Sequence, residues 1–368
     1  MNPLHYPLGA RAPAPGETIE IADGVHWVRV PLAGPLRHIN VWLLRDDDGW
    51  CVVDCGLGGP EAQALWERVF AVRVGRGRVR RVIATHMHSD HLGLAQWLCA
   101  RWNAPLHIAS REAALARRLL DVTEADREAT VAFYRGHGVT DTALLASVRR
   151  APTHYPARVP GLPADIRTLE DGQRVRIDGR DWRAIESRGH SPEHLSFHCA
   201  ATGVLIAGDM LLPRISAHVA VSPYAPDGDP LADFLASMRV FLALPGDTLV
   251  LPAHGEPFIG IAARVHAIEA HHAARCERIA AMCTAPRTAA EVTAALFADR
   301  PLDRSNLLLA LHETIAHLHR LQAQGTLAAA ADNAGVLRFA TASAAPATHT
   351  AALASARPAA AGTAAPSQ

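Results

Sequence analysis

Apolar and polar positions change rhythm several times along the chain. "GVHWVRVPL" (24–32), "HINVWLLRDDDGWCVVDCG" (38–56) and "VRRVIAT" (79–85) are rich in Val, Ile and Trp and are separated by turn residues, which predicts strands. "DDDG" within the second run predicts a hairpin turn. Residues 60–70, "PEAQALWERVF", open with proline and set Ala62, Leu65, Trp66 and Val69 on one face, which predicts a helix. A helical stretch follows from 111 to 150, and strand-like runs return at 173–189, 194–209 and 247–255. This order predicts an α/β protein with two mixed sheets faced by helices.

From about 262 the texture becomes helical: "AARVHAIEAHHAARCERIAAMC", "TAAEVTAALFA" and "NLLLALHETIAHLHRLQAQG", then the strand-like "GVLRFA". Three helices and a small hairpin predict a winged-helix module. The last residues, from 341 to 368, are Ala, Pro, Ser and Thr with little to bury, so a disordered tail is expected. The division is an N-terminal extension (1–19), a two-sheet domain (20–261) with a helical insertion (111–163), the winged-helix-like domain (262–340) and the tail (341–368).

At the end of the third predicted strand, "VIATHMHSDHLGLAQWL" packs His86, His88, Asp90 and His91 into six positions, with apolar residues on both sides. Surface histidines would be scattered among other polar residues; these stand where a buried element ends. Alternation sends His86, His88 and Asp90 to one side of an extended segment, and His91 reaches a neighbouring point as a helix begins. Imidazole suits zinc and iron, and an adjacent carboxylate suits a hard or borderline divalent ion. Two metals need more donors. "SRGHSPEH" supplies His190, "LIAGDM" supplies Asp209 and "VLPAHGEP" supplies His254, each directly after a strand-like run.

Composition narrows the classes. Of 368 residues, 36 are basic and 36 acidic, so no global field recruits nucleic acid or an anionic membrane. All the basic residues are arginine. The N-terminus has no apolar core of a signal peptide and no run is long enough to span a bilayer, so a cytoplasmic location is expected. The six cysteines form no CxxC pair, which fits a reducing compartment.

The four stations taken in this order resemble the metallo-β-lactamase fold superfamily over roughly residues 20–260. The resemblance implies an αββα sandwich with metals between its sheets. It implies that His86, His88 and His190 hold one ion, that Asp90, His91 and His254 hold the other, and that Asp209 bridges them. It further implies that Asp54, in "VVDCG", stands beside the site as a partner of the ligands; Cys55 replaces the Thr or Ser of most relatives. The activity implied is that of a hydrolase with two divalent ions sharing a hydroxide, zinc ahead of iron or manganese, with Asp90 also steering the proton of the attacking water. His194 is expected to hydrogen-bond near His190 rather than to ligate.

Superfamily β-lactamases are exported and generally lack the bridging aspartate, so the full donor set looks more like glyoxalase II and its thioesterase and lactonase relatives. A small ester, thioester or lactone is therefore expected as substrate, with phosphodiester or RNA hydrolysis as the alternative. A non-hydrolytic sensor using its winged helix on DNA is a third reading. The helix "NLLLALHETIAHLHRLQAQ" carries only Arg320 against Glu313, so the module reads as packing or dimerising. Arg117, Arg118, Arg149 and Arg150 alternate with Glu112, Asp121, Glu124 and Asp126, which reads as a solvated helical face. Tyr134, His137, His154 and Tyr155 in the insertion, and Arg214, His218 and Tyr224 after Asp209, are candidate substrate contacts.

Overall fold

A computed structural model of the chain describes residues 4–151, 154–300 and 302–342. Seven strands run in sequence order across the first sheet: β1 (Ile19–Ala22), β2 (Val25–Pro31), β3 (His38–Asp46), β4 (Gly49–Val53), β5 (Val79–Ile83), β6 (Leu106–Ala109) and β7 (Ile166–Leu169). The "DDDG" turn joins β3 to β4 as expected, with Asp47 at φ 53. The second sheet holds β8 (Arg174–Ile177), β9 (Arg180–Ser187), β10 (His194–Cys199), β11 (Val204–Gly208), β12 (Leu249–Pro252) and β13 (Phe258–Ile259), in the order β13-β12-β11-β10-β9-β8. Residues 173–189 thus form a hairpin, turning at Asp178 and Gly179, both at positive φ.

The apolar alternation of the strands explains the layers. Trp27, Trp42 and Val53 from the first sheet meet Trp182, Phe197 and Ile206 from the second in a buried slab. The opposite face of the first sheet packs on α1 (Pro60–Val69), α3 (Ala95–Trp102) and α4 (Ser110–Leu120) through Trp66, Leu98 and Ala116. The outer face of the second sheet packs on α8 (Pro230–Val240) and α9 (Ile261–Met282) through Phe234 and Val265. The result is a helix, sheet, sheet, helix sandwich.

Short α2 (Ser89–Leu92) follows β5, and the insertion after α4 forms α5 (Glu124–Gly136), α6 (Thr142–Arg150) and α7 (His154–Arg158). The C-terminal module adds α10 (Ala289–Leu296), α11 (Arg304–Ala323) and the antiparallel pair β14 (Leu327–Ala331) and β15 (Leu337–Thr341). Thr288 and Glu291 cap α10 reciprocally. Thr341 lies in β15, one residue into the segment read as tail; the tail beyond 342 lies outside the described residues. The N-terminal extension is not loose throughout, because His5 and Ile259 exchange backbone hydrogen bonds of 3.0 and 2.8 Å at the edge of β13.

Candidate metal centre

The donors gather at one end of the two sheets. β5 stops at Ile83, and Thr85 leads the chain out of the sheet into His86, Met87 and His88 before α2 begins. Beyond β4, Asp54 adopts φ 61, a left-handed conformation that aspartate tolerates better than most residues. Its carboxylate accepts the Thr85 amide at 2.8 Å and binds His91 Nδ1 at 2.8 Å. Gly208, before Asp209, leaves room that a Cβ would take from the His194 ring. His194 Nε2 there accepts the Asp209 amide at 3.3 Å.

Two groups of donor atoms result, each confined within 4.8 Å: His86, His88, His190 and Asp209 in one, and Asp90, His91 and His254 in the other. In the first, His86 Nε2 and His88 Nδ1 are 2.8 Å apart, and His190 Nε2 is 3.1 Å from each. His190 Nδ1 donates to the His218 carbonyl at 2.7 Å, so its Nε2 carries a lone pair. Ligands about 2.0–2.1 Å from a tetrahedral zinc lie roughly 3.3 Å apart, close to this spacing. A cation satisfies converging lone pairs that no shared proton can.

In the second group, His254 Nδ1 donates to the His38 carbonyl at 3.0 Å, and its Nε2 lies 3.4 Å from both Asp90 Oδ2 and Asp209 Oδ1. His91 Nε2 lies 3.4 Å from Asp209 Oδ1, and both atoms are buried without a hydrogen-bond partner. Asp209 therefore faces both groups, with Oδ2 at 3.2 Å from His190 Nε2. Burial and the neighbouring His190 push His88 down to about 3. Burial and the charge of His91 also hold His86 well below the usual imidazole range. At His91, burial is overcome by Asp54, Asp209 and Asp90, whose field raises it. Neutral imidazoles on one side and a field favouring positive charge on the other both suit divalent ions.

The metallo-beta-lactamase superfamily model matches residues 34–254, which include every one of these donors, and the metallo-beta-lactamase-like C-terminal domain model matches residues 276–342. The chain belongs to the metallo-beta-lactamase superfamily. A beta-lactamase domain protein from Burkholderia ambifaria is 40% identical, with a TM-score of 0.85 over 92% of this chain and 98% of that one. The probable metallo-hydrolase YqjP of Bacillus subtilis is 27% identical over 81% of this chain and 92% of its own length. A hydroxyacylglutathione hydrolase of Cereibacter sphaeroides is 29% identical over 60% of this chain and 67% of its own. Superfamily membership, metallo-hydrolase relatives and the donor cluster together assign metal-dependent hydrolysis as the activity class.

Two cavities open onto the donor groups. One, of about 550 Å³, is lined by His88, Asp90, His190, Asp209 and His254; the other, of about 470 Å³, shares His88 and His190. A larger cavity of about 940 Å³ between α8, α9 and α11 contains none of the donors and is not the site. Of the candidate contacts, His218 lines both metal cavities and Tyr134 the second. Tyr155 lies beneath the site instead, its hydroxyl donating to the Met87 carbonyl at 2.7 Å.

The remaining candidates lie elsewhere. His137 is buried, donates Nδ1–H to Phe133 O at 2.8 Å, and packs the insertion against the C-terminal module, where Ala290 N donates to its carbonyl. His154 is exposed outside both cavities. Arg214 pairs with Glu256 at 3.2 Å, and Tyr224 lies under Arg118 at 4.5 Å. His194, expected to hydrogen-bond near His190 rather than to ligate, accepts the Asp209 amide beside His190, meets Ser187 and belongs to neither donor group.

Some positioning residues carry no such motif. Glu112 is fully buried rather than part of a solvated face: its carboxylate accepts the Met87 amide at 2.9 Å and the Glu193 amide at 2.7 Å. It thus ties the His86–His88 turn to the loop after His190. Its place beside Ala113 and Ala116, the other buried residues of α4, was the available signal. Asn40, also fully buried, donates to the Pro252 and Gly255 carbonyls at 2.8 Å and steadies the loop carrying His254. The C-terminal module supplies Phe297, Leu302, Asn306 and Leu309 to the 550 Å³ cavity, so it walls the site as well as packing on it.

Proposed function

We propose that the protein is a dinuclear hydrolase of a small ester, thioester or lactone. His86, His88 and His190 would hold one ion and Asp90, His91 and His254 the other, with Asp209, which faces both groups, available to each. Zinc is the first candidate, and iron or manganese the alternatives, since histidine and aspartate ligands accept each. The observation that carries the reading is the convergence of imidazole nitrogens around Asp209, whose Oδ1 has no hydrogen-bond partner while buried. Such ions, when bound, ionise water near neutral pH and polarise the scissile carbonyl.

The chain's own groups do the rest. Thr85, Asp54 and the carbonyls of His218 and His38 occupy the other nitrogens of His86, His91, His190 and His254 and so orient those four rings. Asp90, held down to about 2 by His91 and His254 against the effect of burial, is an ionised carboxylate suited to accept the attacking water's proton and return it to the leaving group. Thioester chemistry is what the name of the hydroxyacylglutathione hydrolase relative points to.

RNA cleavage is the weaker reading because the arginines of the insertion face carboxylates: Arg118 pairs with Asp126 at 2.8 Å, and Arg149 with Glu124 and Glu128. A nuclease needs cations free for phosphates. We take the substrate to be a small molecule and the compartment to be reducing, in keeping with six free cysteines among the described residues. Among those residues no helix is long and apolar enough to cross a membrane.

The test is an activity screen of metal-loaded protein against an aryl ester, an acyl thioester, a lactone and single-stranded RNA at moderate salt. Hydrolysis of one of the first three, without competitive RNA cleavage, is expected. RNA cutting that disappears in His88→Ala, with no acyl hydrolysis, would reverse the choice.

A further inference from the structure

Large apolar side chains exposed singly are ordinary; several converging on a concave site are not. Six are exposed among the described residues, and three of them, Leu36 at 39%, Ile215 at 49% and Leu309 at 48%, line the 550 Å³ metal cavity. They come from three distant segments: the β2–β3 loop, the loop after Asp209, and α11. Leu212, Phe297 and Leu302 line the same cavity.

Polar groups do little to contradict this lining. The Ser216 hydroxyl is committed to His272 Nε2 at 2.9 Å, and the charged side chains that the C-terminal module adds, Arg300 and Glu313, are opposite in sign. The cavity wall therefore offers apolar contact with little net field. Apart from His218 and Asn306, its remaining polar residues are the donors His88, Asp90, His190, Asp209 and His254 at one end, so an occupant must be slender enough to reach them.

We propose that this cavity is the binding site for an apolar, unbranched acyl chain, and that Leu36, Ile215 and Leu309 determine the chain length accepted. The placing of the acyl carbonyl at the donors rests on the hydrolytic reading above; the binding of the chain does not. The C-terminal module thereby becomes a specificity element, contributing Leu309, Phe297 and Leu302 to a site whose chemistry belongs entirely to the sandwich. A protein surface or a second copy of this chain is the competing occupant, and it fits the concavity less well.

The test uses the full chain loaded with metal and a series of saturated carboxylic acids from acetate to decanoate, with affinity read by calorimetry. The carboxylate is constant through the series, so the increment reports the chain alone. Affinity is expected to rise about three- to fourfold per methylene over the middle of the series. Leu309→Glu and Ile215→Glu, on different segments and both at exposed positions, should flatten that rise, read as the slope of affinity against chain length, which a repulsion common to every carboxylate of the series does not alter. A flat wild-type series overturns the proposal, as does a rise that survives both variants. A dimer that Leu309→Glu converts to monomer assigns the ring to a second copy and also overturns it. Chain-dependent binding without hydrolysis of any acyl ester or thioester would leave the acyl site standing and remove the hydrolytic reading; hydrolysis indifferent to chain length would do the reverse.

Discussion

Two regions of this molecule bury histidines, and they solve the problem in opposite ways. At the strand ends, imidazole nitrogens point at one another and at Asp209, with His91 Nε2 and Asp209 Oδ1 left without hydrogen-bond partners. Between α9 and α11, His317 donates Nδ1–H to the Glu313 carbonyl at 2.6 Å, His272 Nδ1 donates to His317 Nε2 at 3.1 Å, and Ser216 donates to His272 Nε2 at 2.9 Å. His271, His272 and Glu313 also bring donor atoms within 4.8 Å, yet both His272 nitrogens are already occupied. Crowding of donors is thus common to both regions, and the unmet lone pair separates a metal site from a structural network.

The sharpest way to break this comparison is to delete the atom that faces both donor groups. Asp209→Ala should lose metal from both and lower turnover by at least roughly a hundredfold, since removing even an outer partner of a ligand costs ten- to a hundredfold. His272→Gln should leave two ions per chain. Elemental analysis reads both, and an Asp209→Ala protein retaining two ions would sink the bridging role.

Removing the C-terminal helices by ending the chain after Gly260 should expose apolar residues of α8, where Phe234 and Met238 share a core cluster with Ile279, Ile315 and Leu318. Aggregation in light scattering is expected. A monodisperse, fully active sandwich would show that the wall of the cavity is dispensable.

A smaller effect belongs to Glu112. Glu112→Gln keeps the shape but replaces one accepting oxygen with an amide that faces a backbone N–H. Chelator competition should show metal affinity falling about tenfold, and melting of the metal-free protein should also fall, because one buried N–H loses its acceptor. Unchanged affinity would reduce Glu112 to a packing residue.

The mildest prediction concerns the interhelical histidines. Burial pushes His272 down to about 3 and His317 down to about 4, while the unfolded chain titrates near 6.5. Between those values the unfolded state binds protons that the folded state refuses, so their stabilising effect is complete above about pH 6.5 and fades as pH falls toward 4. Melting temperature should decline across that window more steeply in the wild type than in His272→Gln/His317→Gln. Equal slopes would mean that neither imidazole is held neutral by the fold.

The difference between the regions also governs what could be read in advance. His86, His88, Asp90, His91, His190, Asp209 and His254 stood out because metal ligation demands particular residue types and because each follows an apolar strand. Glu112 and Asn40 did not, since an isolated Glu or Asn has the same identity whether solvated or buried against backbone amides and carbonyls. His137 and Tyr155 were read as substrate contacts from their place in the insertion, but the path of the chain turns one toward the C-terminal module and the other under the Met87 carbonyl.

By itself the sequence determined two mixed sheets faced by helices, the seven residues that converge at the strand ends and the helical module, because periodicity and ligand chemistry are properties of neighbouring residues. The tertiary structure alone decided that the module walls the metal cavity and that Leu36, Ile215 and Leu309 ring it. An apolar residue on a helix carries the same local signature whether it faces a core or a substrate. Only the position of the opposing surface, brought there by contacts across more than two hundred residues, distinguishes the two.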